Sequence, residues 1–180
     1  MPAAAVAYCR RVASVEPFVL RITPPRRTKL GDYRWDSSHR RHRITVNQDL
    51  NPYHFLLTFL HELAHLHVRQ RYGGRVAPHG PEWRRTFREL VEPLLKRDVF
   101  PKNLRDVVSD ELARPRASAH AAPELVRALR VYDPATPGAP LPDLDSLPDG
   151  TRFRHRGREL VRLRARRTRV LTYEPAARRY

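Results

Sequence analysis

The stretch "NPYHFLLTFLHELAHLHVRQRYGG", Asn51 to Gly74, constrains the fold most. Asn51 can cap a helix, Pro52 suits a first helical turn, and Gly73-Gly74 can end one. Between them apolar residues recur around most of the helical circumference. The spacing therefore predicts a helix from Pro52 to about Tyr72 that is buried on most sides, with other elements packed around it. One stripe is polar nonetheless. His54, Thr58, His61 and His65 share it, opposite Leu56, Phe59, Leu63 and Leu66. A buried helix with such a stripe turns it toward a cleft.

His61-Glu62-Leu63-Ala64-His65 is an HExxH motif. Residues four apart on a helix lie one turn apart on one face, so both imidazoles can give a nitrogen to one Zn²⁺ at about 2.0–2.1 Å. Glu62 lies about 100° round the helix. That position suits a general base acting on water better than a third ligand. A catalytic zinc needs three protein ligands and one open position. His79 fits the third place, because it precedes Gly80-Pro81 at the threshold of a second helix carrying "WRRTFRELVEPLL". Glu82 competes for that place, or orients a histidine from behind.

"FLLTFLHELAHLHV" followed by "HGPEW" resembles the SprT-like family of zinc metalloproteases. "TKLGDYRW" and "HRITVN" resemble further stretches of bacterial members, and the likeness covers roughly Ala3 to Asp110. The resemblance implies an α+β, zincin-like domain with a small antiparallel sheet and an HExxH helix. It implies Zn²⁺ on His61, His65 and His79, Glu62 as base, and hydrolysis of peptide bonds in protein substrates. Better-known members act on proteins attached to DNA, several with a Cys-rich zinc ribbon. A ribbon cannot be built from Cys9, the chain's one cysteine. The alternative class is a non-catalytic, zinc-containing, nucleic-acid-associated factor.

Other segments divide the 180 residues into three. Residues 1–112 read as the SprT-like domain, with a helix from Ala3 to Val15 and strands in "FVLRI", "KLGDYRW" and "HRITVN". Pro93 should break or kink the second helix. Residues 113–148 read as a Pro-rich linker in which "ELVRALRVYD" can form a short helix. Residues 149–180 alternate as a small β unit with Gly150 and Gly157 at turns.

This last segment holds 11 arginines against Asp149, Glu159 and Glu174, a balance of +8 within a whole-chain net charge of +16. On a strand "RLRARR" would show alternate arginines on one face, with Phe153, Tyr173 and Tyr180 interleaved. Nucleic-acid contact and a solvated edge that resists aggregation both fit that pattern. Codon bias toward Arg, Ala and Pro also fits the charge. One cysteine, no long apolar run and no basic region ahead of the first apolar stretch lead us to expect a cytoplasmic, non-membrane protein.

The remaining aromatic and histidine side chains read as structural. His54 lies roughly 10 Å from His61 by helical rise and suits a cleft wall or the core. His67 points to the opposite face, and Trp83 reads as a core anchor. Tyr33, Tyr53 and Tyr72 could each stabilise an oxyanion; nothing selects one, so packing is the default for all three.

Overall fold

A computed structural model of the protein describes residues 1–26, 28–113, 123–134, 144, 146–166 and 169–180. The chain divides into two units, Met1–Pro134 and Ala135–Tyr180. The first runs α1 (Ala3–Ala13), β1 (Phe18–Thr23), β2 (Gly31–Asp36), β3 (Arg41–Asn47), α2 (Pro52–Tyr72), α3 (Pro81–Leu95), α4 (Lys102–Ala113) and α5 (Pro123–Arg130).

As expected, α2 is the centre of its unit. Residues 56–64 are buried without a break, and Leu56, Leu60, Leu63 and Leu66 have no exposed surface. Burying each such leucine is worth about 1.5–3 kcal/mol. The helix begins where Asn51 accepts hydrogen bonds from the backbone N–H groups of Tyr53 and His54, at 3.1 and 3.0 Å. It ends at Gly73, whose φ of 76° is left-handed and whose N–H reaches Arg69 O at 2.9 Å. The sheet covers one side through Ile44 and Val46, and α3 covers another with Trp83, Phe87, Leu90, Val91 and Leu94. Tyr8 of α1 donates its hydroxyl to Leu90 O of α3 at 2.7 Å, and His67 of α2 donates Nε2–H to Val12 O at 3.1 Å. His67 is therefore structural, as its place on the helix predicts.

The sheet corrects one expectation. It is mixed, not antiparallel: its order is β1-β3-β2, with β2 antiparallel to β3 and β1 parallel to it. The chain does not return beside β1 after residues 24–30. The β2–β3 hairpin instead places β3 in the middle, between β1 and β2. Asn47 anchors the β1–β2 connection: its amide donates to Lys29 O at 3.1 Å and accepts from Arg26 Nε at 2.8 Å. Pro93 also differs from expectation. It does not end α3, which runs on to Leu95; the residue lacks the N–H that would reach Glu89 O, and the ladder resumes with Lys96 N–H on Glu92 O.

Two helices complete this unit. α4 was not marked in the sequence and buries Leu104 and Val108, four residues apart; α5 buries Leu125 and Leu129 and packs on α4. The Asn51 side chain joins α5 to the start of α2, donating to Leu129 O at 2.8 Å and Asp133 Oδ1 at 2.7 Å.

The second unit is an antiparallel meander of β4 (Arg152–His155), β5 (Arg158–Arg166) and β6 (Arg169–Tyr173). Arg156 and Gly157, both left-handed at φ 52° and 77°, make the tight turn between β4 and β5. The simple alternation expected of "RLRARR" is broken by a bulge between Arg162 and Arg164. Arg162 is buried, paired with Asp149, and donates Nε–H to Leu144 O at 3.0 Å. Beyond the bulge Arg164 stands opposite Leu171, two residues from Tyr173, which itself stands opposite Val161. Val161 faces Arg152 across β4. The extra residue thus brings Arg164 and Arg166 to the same face as Arg152, Arg154 and Tyr173.

Asn51→Ala removes a helix cap together with one buried and one partly buried hydrogen bond. Urea unfolding should show a loss of about 2–3 kcal/mol, more than the ~1 kcal/mol of a cap alone.

Candidate metal centre

α2 presents His61 and His65 one turn apart, and the chain returns with His79 just ahead of α3. Residue 79 has φ 58°, the left-handed region that histidine enters more readily than most residues. Gly80 follows as the helix cap, its N–H on Ala77 O at 3.0 Å. A Cβ at Gly80 would meet that same oxygen at 3.0 Å, so the tight turn that aims His79 back over α2 favours glycine here.

The three rings converge. Nε2 of His61 lies 3.3 Å from Nε2 of His65 and 3.0 Å from Nε2 of His79, and the latter two are 3.1 Å apart. Tetrahedral bonds of about 2.0–2.1 Å would place the three nitrogens about 3.3–3.4 Å apart, so the donor set fits Zn²⁺ after small adjustments. Among the described residues these three histidines are the one group with metal-ligand geometry. Glu82 does not join them; its carboxylate lies over Gly80, with Oε2 3.3 Å from where a Cβ would be.

Burial disfavours the charged form of His65 and His79, and the neutral form is the one that binds cations. Burial, and then the nearby His79, press His65 down to about 4. His79 is lowered by burial and by Arg84. Trp83, 3% exposed, floors the site with its ring 4.5, 5.4 and 4.8 Å from the rings of His61, His65 and His79. It stacks on Phe87 at 4.9 Å, as a core anchor should.

Glu62 lines the same cleft of about 490 Å³ as the three histidines. The residue is 6% exposed, and its carboxylate accepts a hydrogen bond from Tyr33 N–H on β2. Burial raises its pKa to about 7, with the Asp32 carboxylate adding to the rise. β2 comes this close because residue 31 is glycine: a Cβ there would stand 2.6 Å from Glu62 Oε1 and 2.8 Å from Thr58 Cγ2. In the sequence Gly31 is consistent with a strand or a bulge, and nothing there marks the Tyr33 amide. "KLGDYRW" carried a signal in its glycine, the mark of a strand approached closely by another group.

The other candidates separate. His54 is partly buried, outside the histidine cluster and the cleft lining, with its pKa lowered by burial. Tyr33 is a cleft wall, its ring stacked 6.3 Å from His65 and its hydroxyl 2.8 Å from His42 Nδ1. Tyr53 packs against Phe100 and Tyr132, and Tyr72 is 38% exposed.

The model of the SprT-like family matches residues 9–104, just over half of the chain. The chain belongs to the SprT-like family. The match runs from α1 into α4 and takes in the sheet, the HExxH helix and His79. Membership is compatible with metallopeptidase-type chemistry. Comparison with curated proteins and with solved structures gives no match. No helix among the described residues is long and apolar enough to cross a membrane.

Glu62 of this SprT-like unit sets a pH test on the metal-free protein. A carboxyl raised from 4.5 to about 7 contributes its full share of stability below pH 4.5 and loses it as pH rises through 7. Glu62→Gln should therefore stabilise the metal-free protein at pH 8 by on the order of 2–3 kcal/mol, and by little at pH 4.5. Chemical denaturation at both pH values measures the difference.

Proposed function

We propose that this SprT-like protein is a zinc-dependent metallopeptidase that hydrolyses peptide bonds. The observation that carries the proposal is the convergence of His61, His65 and His79 within 3.3 Å, beside the buried carboxylate of Glu62 and open to one cleft. A Zn²⁺ held by these three nitrogens supplies Lewis acidity, making water more acidic and a carbonyl more electrophilic. Structural zinc sites usually close with four protein ligands, so three donors facing a cleft favour catalysis over a clip.

Glu62 takes a proton from the attacking water and delivers it to the departing amine nitrogen. Burial raises the basicity of Glu62 in the metal-free chain, which favours its uptake of a proton. The Tyr33 amide steadies the carboxylate while it does so. Among the described residues β2 pairs only with β3, so its outer edge, where Gly31, Asp32 and Tyr33 line the cleft, can take an extended peptide as a further strand. The Tyr33 hydroxyl is engaged by His42, so Tyr33 acts through its backbone and ring and not as the oxyanion donor.

Each of His61→Ala, His65→Ala and His79→Ala should lower zinc stoichiometry from one toward zero by elemental analysis. Glu62→Gln should keep the metal and lower casein hydrolysis by at least about 100-fold, the size of a general-base contribution. A chelator should abolish hydrolysis, and re-added zinc should restore it. Full activity in Glu62→Gln would assign the base elsewhere.

The C-terminal unit supports nucleic acid as a second partner, and with it substrates associated with DNA. Arg154, Arg164 and Arg166 are exposed on one face beside Tyr173, and no carboxylate pairs with them among the described residues. Double-stranded DNA binding should weaken steeply with salt. Arg164→Gln combined with Arg166→Gln should lower the slope of log K against log salt by about 2. An unchanged slope removes this face from the interface.

A further inference from the structure

Two cations line the cleft that the hydrolysis proposed above does not use: Lys29, which is paired with Asp32, and Arg69. Arg69 follows His65 by four residues, so it leaves α2 on the same stripe, roughly 6 Å further along the axis. It is partly buried and lines the cleft with Gly73, Gly74 and Val76. Its guanidinium carbon lies 5.7 Å from the centroid of the Trp35 ring on β2. Its Nη1 also rests against Gly74, so closely that a Cβ there would collide with it. Trp35 and Gly74 together hold the guanidinium at the cleft wall.

The cleft's own carboxylates do not neutralise it. Asp32 is paired with Lys29 at 2.9 Å and with Arg34 at 2.7 Å, and Glu62 receives the Tyr33 amide. Among the described residues no carboxylate forms an ion pair with Arg69. A guanidinium lying against an indole face keeps its edge N–H groups for another partner. Their fork matches a carboxylate, which can accept two parallel hydrogen bonds. An extended peptide advances about 3.3 Å per residue, so a span of roughly 6 Å corresponds to about two residues.

We propose that Arg69 is a specificity-determining residue whose guanidinium binds a carboxylate of the substrate peptide, within about two residues of the bond that is cut. The inference rests on the peptidase reading for the word substrate, but binding tests it separately. The carboxylate comes either from an Asp or Glu side chain or from the end of the peptide chain.

Full-length, zinc-loaded protein carrying Glu62→Gln would be titrated with fluorescent peptides of one neutral host sequence. Three have amidated ends and carry Glu, Gln or Lys at successive positions. A fourth is neutral with a free C-terminal carboxylate. Anisotropy should show the best-placed Glu peptide binding about tenfold more tightly than its Gln counterpart, the gain of a charge-assisted pair. Tighter binding of the free-acid peptide alone would assign the carboxylate to the chain end. Arg69→Gln should erase the preference, Arg69→Lys should keep part of it, and Arg69→Glu should shift it to the Lys peptide. Gly74→Ala, which displaces the guanidinium without removing its charge, should also weaken the preference. Arg21→Gln, at an exposed β1 position outside the cleft lining, should leave it intact. Equal binding of all peptides, or a preference that survives Arg69→Gln, overturns the proposal. So does a preference that falls equally in Arg21→Gln. Turnover by protein with native Glu62 separates the two readings. Arg69-dependent binding without cleavage sinks the peptidase and leaves the carboxylate site; cleavage without Arg69-dependent preference sinks only the latter.

Discussion

The molecule depends on one helix that has to be enclosed on nearly every side while carrying polar groups inside. Leu56, Leu60, Leu63 and Leu66 demand walls, and the sheet, α1 and α3 supply them. His61, Glu62 and Thr58 are buried along with those leucines. A buried ionisable group must find a partner or give up its charge. Burial favours the neutral forms of His65 and His79 and raises the Glu62 carboxyl toward neutral pH, so the packing that stabilises the fold also sets the protonation of these groups. Stability and chemistry compete at Glu62, where the charged form is the less comfortable one for the folded chain.

The clearance at Gly31 shows how backbone and site are coupled. Without a side chain at that position, β2 lies directly over Glu62, and the next amide but one, Tyr33 N–H, reaches the carboxylate. The same strand then offers its outer edge to the cleft. One missing Cβ therefore lets a strand edge and a buried carboxylate share the same cleft wall.

Much of this was legible because its signals are local. Asn51-Pro52 and Gly73 bound α2 through capping and φ preference, and the four-residue spacing of His61 and His65 places them on one face regardless of context. His79 was legible from Gly80-Pro81, which marks a helix start. The features that were missed are relations between distant segments. The parallel pairing of β1 with β3 depends on a strand order that local alternation does not encode. The bulge after Arg162 changes which arginines share a face, although "RLRARR" reads as regular. α4 has only Leu104 and Val108 as fully buried marks on a polar helix, and α3 runs on past Pro93 to Leu95, with the ladder resuming at Lys96 N–H.

The left-handed backbone at His79 has a consequence of its own. Two of the three converging rings ride on a rigid helix, whereas the third hangs on a turn that α3 must hold in place. An ion shared among them would staple residues 65 and 79 together and close the loop between the helices, restricting the unfolded chain much as a covalent crosslink does. The docking of α3 on α2 and the affinity for the ion would then be two views of one equilibrium, each strengthening the other by the same factor.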